Sequence, residues 1–162
     1  MPKETIRKCQ GCQKLIDRNE LIKITKLQND AIIPVYSSAS AAGADLYNAS
    51  GTVVINPSQT VFIGTGIAME IPEGYVGLVY ARSGLACKEG LAPANKVGVI
   101  DSDYRGEIKV ALHNHSLKER VVEKGERIAQ IVITPYLKCE FEEGELSASS
   151  RGEGGFGSTG KL

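Results

Sequence analysis

The 162-residue sequence has no tryptophan, no long apolar run and no excess of charge of either sign. No apolar stretch approaches the roughly 20 residues that cross a bilayer, so no membrane partner is expected. The 19 Lys and Arg residues balance the 19 Asp and Glu residues. A protein that binds the backbone of long nucleic acid normally carries a basic excess, which argues against DNA or RNA as the partner. Small anions are not excluded, because a few local cations bind them.

Cysteine is also scarce. Only four are present, and of these only Cys9 and Cys12 lie close together in sequence. This is not the pattern of a secreted disulfide framework. Residues 1–14 are polar and lack the apolar segment of a signal peptide. A cytoplasmic protein is therefore expected.

The clearest pattern present is an alternation of apolar and polar residues with period 2. Between Glu107 and His115, the side chains of Ile108, Val110 and Leu112 face one way and the intervening ones face the other. Turn residues, including many of the 18 glycines, separate similar stretches at 21–27, 53–55, 61–71, 76–80 and 128–133. Short strands of this kind predict an all-β sandwich or barrel. One or two helical turns are predicted near 85–89.

Composition divides the chain into three parts. Residues 1–20 are a polar N-terminal extension, 21–141 carry the strand pattern, and 142–162 form a tail rich in Gly, Ser and Glu. The tail has too little apolar surface to order itself, so we expect a mobile arm that a ligand could order.

The tail also carries two phosphate-loop patterns. Residues 152–157 read G-x-G-x-x-G, and 155–161 nearly form a Walker A loop, but Leu162 stands where that loop needs Ser or Thr. Both motifs require a strand before and a helix after them, which the pattern here does not provide. Their glycines can still expose backbone N–H groups to oxyanions.

Two motifs could indicate a metal. Cys9-x-x-Cys12 is half of a zinc site, whose other ligands would have to come from a neighbouring subunit, and we expect no stable metal there. In an extended strand His113 and His115 share one face without a nearby carboxylate, which favours a solvent-facing strand edge over a metal site.

Five short stretches hold most of the polar residues that the strand pattern leaves unexplained. Together they contain cations, backbone donors in glycine turns, carboxylates and an aromatic ring, as phosphoryl chemistry requires. Taken singly, each could be a hairpin turn or a helix cap. The stretches are Ala42–Leu46, Ala81–Ala86, Gly98–Gly106, Gly125–Gln130 and Arg151–Gly160.

In order and in amino-acid sequence, these stretches closely resemble the five motifs of the trimeric deoxyuridine triphosphate nucleotidohydrolases, the dUTPases. The resemblance runs from about residue 22 to 159, and GVIDSDYRG and RGEGGFGSTG are its most specific parts. It implies a β jelly roll (the β-clip fold), a homotrimer with active sites between subunits, and a C-terminal arm that closes over each site. The implied reaction is Mg²⁺-dependent hydrolysis of dUTP to dUMP and pyrophosphate, which keeps uracil out of DNA and supplies dUMP for dTMP synthesis.

The resemblance also implies roles around the nucleoside. Asp101 would orient and deprotonate the attacking water. Tyr104 would lie under the deoxyribose, where a ribose 2′-OH would collide with its ring. The uracil pocket would be formed by Asn95, the backbone of Val99 and Ile100, and Lys109.

A further group is implied to hold the phosphates. Its members in the body of the protein are Arg82, Ser83, Gly84 and Gln130, and those in the arm are Arg151, Gly157, Ser158 and Thr159. Phe156 would stack on uracil. Strand parity supports Gln130, which points away from Ala129 and Ile131. Asp45 resembles an acid that reaches Mg²⁺ through water, with the metal held mostly by substrate oxygens.

Two alternatives remain. One is a dCTP deaminase of the same fold. That class resembles this chain but has Arg-Ser-Ser where this chain has Arg82-Ser83-Gly84, and the sequence Asp101–Tyr104 also favours the phosphatase. The other is a trimeric regulatory or binding protein without catalysis. Ala81 also stands where many relatives have Pro, a departure expected to affect only the turn.

Overall fold

The computed structural model describes residues 21–155, which form twelve strands and one short helix. No helix in this part of the chain is long and apolar enough to cross a membrane. The strands are β1 (Lys23–Lys26), β2 (Val35–Tyr36), β3 (Ala44–Tyr47), β4 (Val53–Ile55), β5 (Thr60–Gly64), β6 (Ile67–Glu70), β7 (Tyr75–Tyr80), β8 (Leu91–Pro93), β9 (Gly98–Ile100), β10 (Lys109–Asn114), β11 (Arg120–Val122) and β12 (Arg127–Pro135). The helix, α1, is a single π-type turn at Leu85–Glu89 between β7 and β8.

The strands pair antiparallel in four sheets. The largest has the order β2-β3-β12-β7-β9, and a three-stranded sheet has the order β5-β10-β8. Strands β1 and β6 form one two-stranded sheet, and β11 and β4 form another. Because sequence neighbours rarely pair, most connections cross from one sheet to another, and the sheets enclose one common core.

That core is a single cluster of buried aliphatic side chains from all four sheets. The alternation predicted between Glu107 and His115 is confirmed, since Ile108, Val110 and Leu112 are each at most 2% exposed. Asn114 ends β10 inside the core, where its side-chain amide donates to the carbonyl oxygens of Ile55 and Lys118, both at 2.8 Å. The all-β class predicted from the pattern is therefore confirmed.

The predicted helix near 85–89 is also confirmed, whereas several strands were not predicted. Strands β2, β3, β8, β9 and β11 have only two to four residues each, which leaves little length for a periodic signal, although the three-residue β4 was predicted. In β3 even the alternation is absent, because Ala44, Asp45 and Leu46 are all buried.

After β12 the described chain contains no further strand. Residues 136–155 are almost all exposed, and three apolar side chains in this segment, Leu137, Phe141 and Leu146, are more than 90% exposed. No other part of residues 21–155 covers these side chains.

Candidate active site

Three polar side chains lie in one row across the largest sheet. In β12, Gln130 is opposite Asp45 of β3 on one side and Tyr80 of β7 on the other. Directly opposed residues of antiparallel strands share a face. The neighbours of Gln130 in sequence, Ala129 and Ile131, are buried on the other face. The predicted outward direction of Gln130 is thus confirmed.

Asp45 is the electrostatic centre of this row. Its side chain is only 10% exposed, and each of its oxygens accepts from a different arginine: Oδ1 from Arg82 Nε at 2.7 Å and Oδ2 from Arg127 Nη1 at 3.2 Å. Hydrogen bonds between ionised partners are stronger than neutral ones and fix the geometry of both groups. One carboxylate facing two guanidinium groups leaves a net positive charge at this place.

Arg127 was not among the residues assigned from sequence. It reaches Asp45 because the β12–β3 register shifts between Arg127 and Ala129, a β-bulge that puts Arg127 opposite Tyr47 and Ala129 opposite Leu46. The bulge lets Ile128 and Ala129 both be fully buried while Arg127 turns outward. Alternation cannot reveal such a bulge. The available signal was the place of Arg127 inside Gly125–Gln130, one of the five stretches that the strand pattern leaves unexplained.

Asp45, Tyr80 and Gln130 line a cleft of about 460 Å³, called the first cleft here, whereas Arg127 lines a neighbouring cleft that shares Arg82 with it. The lining of the first cleft brings together five of the predicted residues: Asp45, Arg82, Ser83, Gly84 and Gln130. The side-chain amide of Gln130 donates to the Ala81 carbonyl at 2.9 Å, which ties β12 to the turn before Arg82. A Cβ on Gly43 would lie 2.6 Å from Gln130 Oε1, so a larger residue there would displace the Gln130 side chain from this position.

The predicted catalytic aspartate lies in a second cleft, of about 910 Å³, lined by Val99, Asp101, Ser102, Asp103 and Arg105 among others. The β7–β9 register explains the separation of the two clefts. Ile100 lies opposite Gly77, whereas Arg82 follows the other end of β7. From Gly77 to Arg82 the distance is ~16 Å along an extended chain at ~3.3 Å per residue. One chain therefore does not bring Asp101 and Arg82 together.

The other predicted nucleoside residues surround Asp101 in sequence and partly in space. Asn95 is exposed in the turn between β8 and β9, with its side-chain nitrogen 3.4 Å from where a Cβ on Gly98 would lie. Tyr104 closes a turn on Asp101, its N–H donating to the Asp101 carbonyl at 3.2 Å. Lys109 Nζ lies 3.4 Å from Glu107 Oε2, and Tyr104 Oη donates to the Glu107 carbonyl at 3.0 Å. Glu107 thus contacts two predicted site residues without having been assigned itself.

Of the predicted arm residues, only Arg151 is among those described. It is exposed, and its Nε donates to the carbonyl of Gly154 at 2.7 Å within its own turn. Phe156, Gly157, Ser158 and Thr159 lie outside the described residues, as do Cys9 and Cys12.

The donor groups of the described residues limit how a metal could be held. Across residues 21–155, no three His, Cys, Asp or Glu side chains gather as a metal cage would require. In the first cleft the carboxylate is Asp45, and each of its oxygens accepts one arginine and keeps lone pairs for water. This arrangement fits a metal held mainly by phosphate oxygens and waters, as Mg²⁺ commonly is.

The histidine pair occupies a different surface. The rings of His113 and His115 lie 4.4 Å apart, and His113 Nδ1 is 2.8 Å from Thr60 Oγ1. Desolvation lowers the pKa of His115, and repulsion from His113 and Lys96 lowers it further. The predicted edge position is wrong, because β10 is the central strand of its sheet, although His115 itself is exposed.

Fold and first cleft together define a class: an all-β protein with a polar, positively charged cleft on a face of its largest sheet. Comparison with known proteins narrows this class. The family model described as dUTPase matches residues 29–160.

Similar proteins carry the same description. The deoxyuridine 5'-triphosphate nucleotidohydrolase of Hydrogenobaculum sp. (strain Y04AAS1) is 54% identical over 138 residues, covering 85% of this chain and 96% of the relative. That of Nautilia profundicola is 52% identical over 141 residues, covering 86% of this chain and 99% of the relative. Among solved structures, a mutant dUTPase of Staphylococcus bacteriophage 80alpha with dUpNHpp superimposes with a TM-score of 0.80 at 32% identity, covering 86% of this chain and 98% of that one. A dUTPase mutant from phage phi11 of S. aureus has a TM-score of 0.72 at 26% identity, covering 78% of this chain and 98% of that one. It is described as revealing the coordination of a structural Mg(II) ion.

The chain belongs to the dUTPase family. It is accordingly a nucleotide hydrolase that acts on dUTP, and its fold is the predicted β jelly roll of that family.

Proposed function

We propose that the chain hydrolyses dUTP between the α- and β-phosphates by in-line attack of a water that Asp101 orients. The water oxygen bonds to the α-phosphorus as the bridging oxygen leaves with pyrophosphate, and the water proton passes to the Asp101 carboxylate. The exposed position of Asp101 immediately after β9, at the rim of the second cleft, supports access to such a water. General-base assistance of this type is worth about 10²–10⁴-fold in rate.

The phosphates bind in the first cleft, to Arg82, Ser83, Gly84 and Gln130. The observation that carries this proposal is the bond between Arg82 and the buried Asp45 carboxylate, which holds the guanidinium in one orientation before substrate arrives. A preorganised cation costs little reorganisation when charge develops on the leaving pyrophosphate. Mg²⁺ on the triphosphate would neutralise more of that charge, with Asp45 reaching it through water.

The nucleoside binds beside Asp101, between Asn95, the backbone of Val99 and Ile100, Tyr104 and Lys109. The exposed faces of Val99 and Tyr104, 60% and 45% exposed, support an apolar contact to base and sugar in this region. Cytosine presents a donor where uracil presents an acceptor, so cytosine would leave polar groups of the pocket unpaired.

The active enzyme is a homotrimer in which one subunit supplies the second cleft and another the first. The separation of Asp101 from Arg82 along β7 supports this assembly, because a single chain presents only half of the required groups. The uncovered apolar side chains after β12 also support contact with another subunit. Residues 142–162 act as the arm that closes the site, with Arg151 on the terminal phosphate, Phe156 on uracil, and Gly157, Ser158 and Thr159 around the phosphates. Residues 1–20 form an extension outside this catalytic unit.

The cellular role is to remove dUTP before it enters DNA and to supply dUMP for dTMP synthesis, in the cytoplasm. Cys87 and Cys139 are exposed free thiols, which suits a reducing compartment.

One experiment tests the proposal. Pyrophosphate and ammonia release would be measured from dUTP, dCTP, dTTP and UTP with and without Mg²⁺, together with the mass of the protein in solution. The proposal expects Mg²⁺-dependent pyrophosphate from dUTP alone and a mass of three chains. Ammonia from dCTP without pyrophosphate would establish a deaminase instead, and binding of dUTP without turnover would establish a regulatory protein.

A further inference from the structure

The turn that carries Asp101 also fixes the ring of Tyr104. The N–H of Tyr104 donates to the Asp101 carbonyl at 3.2 Å, and Arg105 Nη1 closes the turn by donating to the Ser102 carbonyl at 2.6 Å. At the other end of the side chain, Tyr104 Oη donates to the Glu107 carbonyl at 3.0 Å. The side chain is therefore folded back along its own loop although it is 45% exposed.

Gly106 makes this folded position sterically accessible. A Cβ at Gly106 would lie 2.4 Å from Tyr104 Oη, 2.6 Å from Cζ and 3.0 Å from Cε2. Real Cβ atoms do not approach other heavy atoms so closely, so any larger residue at 106 forces the ring away. Gly106 is not among the glycines with positive φ, so its backbone would accept alanine without strain.

Glu107 connects this loop to the body of the protein. Its Oε1 accepts from the Gly66 N–H at 3.0 Å, and its Oε2 lies 3.4 Å from Lys109 Nζ. Gly64 leaves the room for this carboxylate, since a Cβ there would lie 2.4 Å from Oε1. The carbonyl that holds the Tyr104 hydroxyl thus belongs to a residue whose own side chain is anchored at the β5–β6 turn.

We infer that Gly106 determines specificity at the 2′ position of the sugar: its missing side chain admits the Tyr104 ring, and the Glu107 carbonyl then holds that ring as a preformed wall. This inference rests on the proposed function, in which Tyr104 excludes a ribose 2′-OH. It assigns the selectivity to the position of the ring and not merely to its presence. Gly106 and Glu107 are positioning residues that act through Tyr104.

The test is Gly106→Ala, assayed as the ratio of kcat/KM for dUTP to that for UTP. The ratio should fall about tenfold, because the displaced ring no longer blocks the hydroxyl. The melting temperature should change little, because the clash involves an exposed side chain that can swing away. Leu117→Ala is the control: Leu117 is 95% exposed and lines neither cleft, and the ratio should be unchanged.

A double mutant separates positioning from a general structural effect. If Gly106 acts through Tyr104, Gly106→Ala should change the ratio in the wild-type background and leave it unchanged in Tyr104→Ala, a non-additive result. Equal effects in both backgrounds would overturn the inference. A ratio that stays at the wild-type value in Gly106→Ala would overturn it as well.

Tyr104→Phe provides a second route if the alanine variant at 106 does not fold. It keeps the ring and removes the bond to the Glu107 carbonyl, so the ratio should fall by less than in Tyr104→Ala. An unchanged ratio would overturn the role of that carbonyl. Failure of the proposed function is distinguishable from all these results, because the unmodified protein would then release no pyrophosphate from dUTP.

Discussion

Arg82 Nε lies 2.7 Å from Oδ1 of Asp45, and this ion pair is the fixed point of the first cleft. A buried carboxylate needs partners, and an arginine that must meet phosphate needs a defined orientation. The pair satisfies both needs at once. Arg127 takes the second oxygen of the same carboxylate and thereby prevents Asp45 from rotating away.

Replacing Arg127 with glutamine should therefore weaken both folding and phosphate binding. The variant leaves Asp45 Oδ2 without its cation, and we expect a loss of about 1–2 kcal/mol in the free energy of unfolding. The kcat/KM for dUTP should fall ~10-fold, which corresponds to about 1.4 kcal/mol. Arg120→Gln is the control, because within residues 21–155 the Arg120 side chain bonds only to Ser116 and lines neither cleft. Equal losses in the two variants would remove Arg127 from the site.

Asp101→Asn should abolish most of the turnover while leaving affinity for dUTP nearly intact. An amide of the same shape cannot take the water proton, so kcat should fall about 10²–10⁴-fold. Single-turnover rates and equilibrium binding of a non-hydrolysable analogue measure the two quantities separately. Asp30→Asn, which removes an exposed carboxylate paired with Lys124, should leave both unchanged. Normal turnover in Asp101→Asn would assign the base elsewhere.

Removing residues 151–162 should eliminate hydrolysis but not folding. All twelve strands end by Pro135, and Arg151 bonds only within its own turn among the described residues. The melting temperature and the number of chains per assembly should match those of the full chain, and kcat/KM should fall by orders of magnitude. A truncated chain that retains full activity would show that the arm is dispensable.

His115 should titrate below its ordinary pKa of 6.5, because desolvation and the charges of His113 and Lys96 disfavour its protonated form. The unfolded chain then takes up the proton first as the pH falls. The contribution of His115 to stability is therefore present above pH 6.5 and is lost as the pH falls through and below that value. In His113→Gln the pKa should rise, but not to 6.5, since desolvation is the larger cause. NMR titration of the ring protons measures both values.

The sequence pattern predicted the strands that have one buried and one exposed face. The stretch 53–55 coincides with β4, and the alternation through Val110 and Leu112 coincides with β10. Alternation appears only when the two faces differ. Strand β3 could not be found in this way, because Asp45 is buried beneath two arginines that come from distant parts of the chain.

The candidate site was predictable only in its residue types and motifs. Arg82, Gln130 and Asp101 were given roles through their motifs, whereas Arg127 and Gly106 lie inside two of the same motifs but were given none. The position of Arg127 depends on a bulge, and the role of Gly106 depends on where the Tyr104 ring lies. Both are properties of the folded backbone that no local spacing encodes.

In the proposed trimer the two ends of β7 that form one active site come from different subunits, so two defective variants should complement each other. A chain with Asp101→Asn still has an intact first cleft with Arg82, and a chain with Arg82→Ala still has an intact second cleft with Asp101. Each variant alone should be inactive, but when the two are unfolded and refolded together, mixed assemblies should regain pyrophosphate release. Mixing without refolding, or pairing each variant with itself, should recover none.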